Sequence, residues 1–119
     1  LAKKGNHYLV VAALVPYKRI DIAVEAFNEL GKPLWIVGAG GEERKLRKKA
    51  APNIRFFNWV SDAELREIYA SAQALIFPGE EDFGISPLEA QASGTPVIAY
   101  GKGGVLETVQ DGETGIFFY

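Results

Sequence analysis

Residues 7–37 read HYLVVAALVPYKRIDIAVEAFNELGKPLWIV, and the parsing of this stretch decides the fold. His7 to Ala13 is a short apolar run with β-branched content, consistent with a strand buried on both faces. Pro16 ends it. From Ile20 the apolar residues Ile20, Ala23, Val24, Phe27 and Leu30 follow the 3.6-residue period of a helix, with Asp21 in the first turn where the dipole favours an acid. Gly31 is expected at the C-cap and Pro33 just beyond it. Leu34 to Val37 is a second buried strand.

Working outward, the same alternation continues to the end of the chain. Gly38-Ala39-Gly40-Gly41 leads into a helix expected over Glu42 to Ala51, with acids first and bases last. Its cations Arg44, Lys45, Arg47, Lys48 and Lys49 read as a solvated outer face, since neighbouring acids nearly balance them. Pro52 breaks that helix and Asn53 to Asn58 is a third strand. Ser61-Asp62-Ala63-Glu64 is a capping box ahead of a helix with Leu65, Ile68, Tyr69 and Ala72 on one face. Ala74 to Phe77 is a fourth strand, followed by a glycine-punctuated acidic loop and a small-residue helix that opens near Ser86-Pro87 and ends at Gly94. Pro96 to Tyr100, a glycine loop over Gly101–Gly104, a short helix over Val105–Gln110 and a strand from Gly115 to Tyr119 complete the chain. About six buried strands alternating with helices predict an α/β fold, a Rossmann-like doubly wound parallel sheet.

Bulk properties bound the function. With 119 residues the chain is one ordinary domain. Its net charge of -2 and pI near 5.4 give no basic field for nucleic acid or an anionic membrane. No apolar run approaches the roughly 20 residues of a membrane span, and no signal peptide opens the chain. With no cysteine there is no thiolate chemistry, which fits a cytoplasmic setting. The absence of methionine, with a last strand that has no polar tail, reads as a piece of a longer protein. His7, the single histidine, starts a strand with nothing beside it in sequence to poise it, so a surface or structural role is expected.

In a doubly wound sheet the ligand lies beyond the carboxyl ends of the strands. The loops there are Leu14–Arg19, Gly38–Gly41, Asn58–Ser61, Gly79–Ser86 and Gly101–Gly104. Gly38–Gly41 is not a dinucleotide fingerprint, because its third glycine position is Glu43 and it follows the second strand. P-loop, zinc and serine-hydrolase patterns are missing too. What remains is Glu81 and Glu89, seven residues apart in a loop that enters a helix, with Lys18 upstream. The amides of Phe83, Gly84, Ile85 and Ser86 suit a diphosphate, and Lys18 supplies a positive charge. Glu89 can accept hydrogen bonds from a ribose diol and Glu81 from sugar hydroxyls. A dipole-stabilising first-turn acid and a solvated loop charge are the plainer readings of these two glutamates.

The run from Pro78 to Ala99, PGEEDFGISPLEAQASGTPVIA, resembles the E-x7-E region of group 1 (GT4-type) retaining glycosyltransferases. Leu14–Asp21, Trp59–Leu65 and Gly103–Val109 match further family segments in order. The resemblance implies half of a GT-B fold: the C-terminal, donor-binding domain, with the acceptor domain and the final crossing-back helices outside the chain. It implies a nucleotide diphosphate sugar as donor, GDP-mannose favoured by likeness to O-antigen-type mannosyltransferases, and no metal cofactor. It implies an acceptor glycan or glycolipid held by the N-terminal domain, and a cytoplasmic location that includes the inner face of the membrane. By position, Lys18 and Glu81 take the catalytic roles. Arg19, Trp59, Val60, Phe83, Gly84, Ile85, Ser86 and Glu89 form the donor-binding set, with Trp59 and Val60 beside the nucleobase. Many relatives carry an arginine five residues before the lysine, where this chain has Ala13. GT-B-fold epimerases and a non-catalytic nucleotide-sugar-binding module are the competing readings.

Overall fold

A computed structural model describes residues 5–78, 94–100 and 115–118. The expected helix from Ser86, the helix over Val105–Gln110, Glu81, Phe83–Ser86 and Glu89 lie outside the described residues. The elements, in chain order, are β1 (Tyr8–Val11), α1 (Ile20–Leu30), β2 (Leu34–Val37), α2 (Glu43–Lys49), β3 (Ile54–Phe57), α3 (Asp62–Ser71), β4 (Leu75–Phe77), β5 (Val97–Tyr100) and β6 (Gly115–Phe118). A single 3-10 turn, Pro16–Lys18, precedes α1.

The six strands form one sheet in the order β3-β2-β1-β4-β5-β6, and every neighbouring pair is parallel. Connections running toward β3 and those running toward β6 must lie on opposite faces if each crossover is right-handed. The packing obeys this. Ile20, Ala23, Val24 and Phe27 of α1 and Leu46 of α2 cover one face through Val10, Leu34, Ile36, Ile54 and Ile76. Tyr69 of α3 and the adjoining Ala72 cover the other through Leu9, Val11, Val37, Leu75, Phe77 and Val97. The strands therefore bury alternate residues on both sides, which is why they read as unbroken apolar runs. Each large side chain buried this way contributes roughly 1.5–3 kcal/mol.

Element ends follow their caps. Gly31 closes α1 in the left-handed region, φ 73°, and its N–H donates to Phe27 O. Ser61 Oγ accepts from Glu64 N at 3.2 Å and donates to Glu64 Oε1 at 3.2 Å, so the glutamate closes on the hydroxyl of the capping box. The second helix is shorter than expected, Glu43–Lys49 in place of Glu42–Ala51. Asn28 of α1 accounts for this end: its amide donates to Lys49 O at 2.9 Å and accepts from Ala51 N at 2.8 Å. The first strand likewise stops at Val11 and not at Ala13. Ala12 still donates to Val37 O, but Leu14 donates to Ala39 O as the chain leaves the sheet.

His7 has a structural role and is not a surface residue. It is buried at the amino end of β1 and stacked on Trp35 with ring centroids 3.7 Å apart and planes 5° from parallel. Its Nε2 lies 3.5 Å from Ile68 O.

Candidate functional site

The strand order reverses between β1 and β4, which pair through Leu9 and Leu75. A crevice at the carboxyl end of such a pair is where doubly wound sheets bind ligands. One wall is the loop 12–19, which carries Lys18 and Arg19. Across from it, β4 is followed by buried Pro78. The sequence-predicted residues within the description are Lys18, Arg19, Trp59 and Val60. All four lie in loops at this carboxyl edge: the first pair after β1, the second after β3.

Two glycines fix the first wall. Gly38 has φ 145°, and a β-carbon there would stand 1.9 Å from Ala12 O. A β-carbon on Gly40 would stand 2.5 Å from Leu14 O. Both clashes are with backbone, so the loops after β1 and β2 can touch only because neither residue carries a side chain. Hydrogen bonds lace them together: Leu14 N donates to Ala39 O and Glu42 N to Leu14 O, each at 2.9 Å. Sequence reasoning missed this positioning role. The signal available was a glycine-rich loop directly after a buried strand, which reads equally as a phosphate loop.

Lys18 closes the 3-10 turn, its N–H donating to Val15 O at 3.1 Å. The side chain is half-buried, and desolvation lowers its pKa below the ordinary lysine value. An anion arriving beside it would favour the charged form.

Arg19 is the only non-glycine residue with positive φ among the described residues, at φ 53° and ψ 41°. That conformation costs an L-residue free energy that glycine would not spend. Its N–H donates to Pro16 O and its carbonyl accepts from Ile22 N, each at 3.1 Å, so one residue turns the chain from the 3-10 turn into α1. The guanidinium forks onto Asp21, Nε to Oδ1 at 3.1 Å and a terminal nitrogen to Oδ2 at 3.3 Å. This hydrogen-bonded pair holds the Asp21 carboxyl below its usual range, and both side chains are exposed. Asp21 was readable in sequence only as a dipole-favoured acid.

Trp59 is exposed, whereas Val60 packs against the α3-side core. The cations of α2 are exposed as expected. Arg47 pairs with Glu43 at 2.9 Å and its guanidinium lies 4.9 Å over the Phe56 ring. Among the described residues no three His, Cys, Asp or Glu side chains cluster as metal ligands, and no helix is long and apolar enough to cross a membrane.

The family assignment follows from comparison with known proteins. Residues 1–119 match the family model of the glycosyl transferases group 1. The chain belongs to that family. It is similar to a D-inositol 3-phosphate glycosyltransferase of Nocardioides sp., with 38% identity over 93 residues covering 77% of this chain and 19% of the relative. It is also similar to glycogen synthase 1 of Bradyrhizobium diazoefficiens, with 32% identity over 124 residues covering 97% of this chain and 27% of the relative. The fold matches the solved structure of Anabaena HepE in complex with UDP and glucose, at TM-score 0.85 and 22% identity over 97% of this chain and 34% of that one. The group 1 chain thus spans about a fifth to a quarter of the curated relatives' length.

Proposed function

We propose that this chain is the donor-binding part of a retaining glycosyltransferase, which in full length moves a hexose from a nucleotide diphosphate sugar to an acceptor hydroxyl. One observation carries the reading. The Lys18 loop and the segment leading to Glu81 and Glu89 leave from β1 and β4, which are neighbours across the point where strand order reverses. The turn that carries Lys18 and buried Pro78 thus follow neighbouring strands, which supports a single ligand site at that edge.

In this reading Lys18 and the amides of Phe83, Gly84, Ile85 and Ser86 stabilise the departing diphosphate, the principal electrostatic task in an oxocarbenium-like transfer. Glu89 accepts from the ribose diol, and Glu81 stands by the donor sugar. Trp59 and Val60 border the nucleobase, and Arg19 belongs to the wall that carries Lys18. Positive charge and oriented amides take the place of a metal. The acceptor, a glycan or glycolipid, is held by a domain outside this chain, in the cytoplasm or against the inner face of the membrane.

Mannose from GDP-mannose is favoured, on the subgroup resemblance to O-antigen-type mannosyltransferases that Ala13 marks. A UDP-hexose is the second reading, because HepE was solved with UDP and glucose. Calorimetry of the chain against GDP, UDP, ADP and their sugars tests both. Glu89→Ala is expected to weaken every nucleotide that keeps its ribose diol, by about tenfold. Glu81→Ala is expected to matter only when the sugar is attached. Equal loss with and without sugar would remove the proposed role of Glu81, and no binding at millimolar nucleotide would remove the site.

A further inference from the structure

We infer that Asp21 is a positioning residue for the donor diphosphate: through its fork on Arg19 it locks the corner that fixes where the Lys18 side chain leaves the backbone. The inference rests on the donor-site reading above and adds to it a residue with no ligand contact of its own.

Lys18 is the last residue of the 3-10 turn and Arg19 the residue that reverses the chain into α1. Arg19 holds the left-handed conformation, where a side chain is disfavoured and glycine is not. A strained residue persists where its surroundings over-determine it, and such residues gather at functional sites. The surroundings here are explicit. Pro16 O takes the Arg19 N–H, Arg19 O takes the Ile22 N–H, and the two carboxylate oxygens of Asp21 take the guanidinium in a fork of 3.1 and 3.3 Å. Side chains two apart on a helix do not face each other. Arg19 reaches Asp21 because its own backbone is not helical. The fork therefore depends on the left-handed corner and adds to its restraint, and Lys18 stands immediately before that corner. Relaxation of Arg19 into the right-handed region would run the 3-10 turn on into α1 and rotate the direction in which Lys18 departs.

The alternative is that Asp21 restrains an arginine that would otherwise bind phosphate itself. The two accounts predict opposite signs. The test is calorimetric titration of the chain and its Asp21→Asn and Arg19→Gly variants with GDP, GMP, UDP and UMP, with thermal melts alongside. For the lock, Asp21→Asn lowers diphosphate affinity about three- to tenfold while monophosphate affinity changes little, and the double variant is no weaker than Arg19→Gly alone, the non-additivity of residues acting as a unit. A merely structural role would lower both nucleotide classes together in step with the melting temperature, and that result overturns the inference. Equal or tighter diphosphate binding by Asp21→Asn overturns it in favour of Arg19 as a direct ligand. Glycine accepts the left-handed corner without strain, so Arg19→Gly folds whatever becomes of Asp21→Asn. A further loss of diphosphate preference when Asp21→Asn is added to Arg19→Gly also overturns the lock. If the unmodified chain binds no nucleotide, the donor-site reading itself falls, a result distinct from binding that is insensitive to Asp21.

Discussion

The two ends of the sheet are built to different rules. At the amino edge the polar groups of the loops are paired with one another: Gly5 N donates to Ser71 O at 2.7 Å, Gln73 N to His7 O at 2.8 Å, and Asn53 bonds both Phe27 O and Lys32 O. His7 fills the remaining space by stacking on Trp35. At the carboxyl edge side chains are absent at Gly38 and Gly40, a left-handed arginine turns the chain, and burial lowers the pKa of a half-buried lysine. The first edge lowers the free energy of the folded chain. The second carries the left-handed Arg19 and the desolvation of Lys18.

Substitutions can break this contrast. The largest expected effect is that of Gly38→Ala, which must move the Ala12 backbone and leaves a β-carbon at φ 145°. A loss of about 3–5 kcal/mol is expected from such strain, read by chemical denaturation. Gly41→Ala, three residues on and with open space around it, is expected to change stability by less than about 0.5 kcal/mol. Similar losses at both positions would mean that the lacing of the two loops is not what the glycines serve.

Next in size, Lys18→Met should separate binding from stability. Nucleoside diphosphate affinity is expected to fall at least about tenfold, or 1.4 kcal/mol, while the melting temperature holds or rises. The sign follows from the lowered pKa. Burial penalises the ammonium, so the folded state carries that cost fully at pH values below the folded pKa and sheds it as pH rises toward the unfolded value. Methionine removes the cost at every pH.

His7→Ala should do the reverse at the other edge. The loss of a stacked, buried ring is expected to lower stability by about 1–2 kcal/mol, with nucleotide affinity unchanged. A change in affinity would mean that the two edges are coupled through β1.

Much of this was legible in the sequence, for reasons that differ by element. The period of Ile20, Ala23, Val24 and Phe27 and the cap at Gly31 are local facts, and α1 runs over Ile20–Leu30 as expected. The parallel class was legible because strands buried on both faces lose their alternation. The strand order was not, since nothing within β1 says that β4 lies beside it. That Lys18 and the loop after β3 lie at the carboxyl edge was legible from the alternation of strands and helices. The jobs of Gly38 and Gly40 depend on contacts across two strands, which no single window contains. The pairing of Arg19 with Asp21 was not read from the sequence, because it depends on a left-handed residue at the corner.

The central claim is that the carboxyl edge recognises a nucleotide diphosphate through the charge on Lys18. It is tested most directly by titrating the chain with GDP and UDP at alkaline pH, in two buffers of different ionisation enthalpy. The account predicts that binding takes up protons, because the diphosphate restores the charged form of Lys18, and that Lys18→Met abolishes both the uptake and most of the affinity. Binding that takes up no protons and survives Lys18→Met would contradict it.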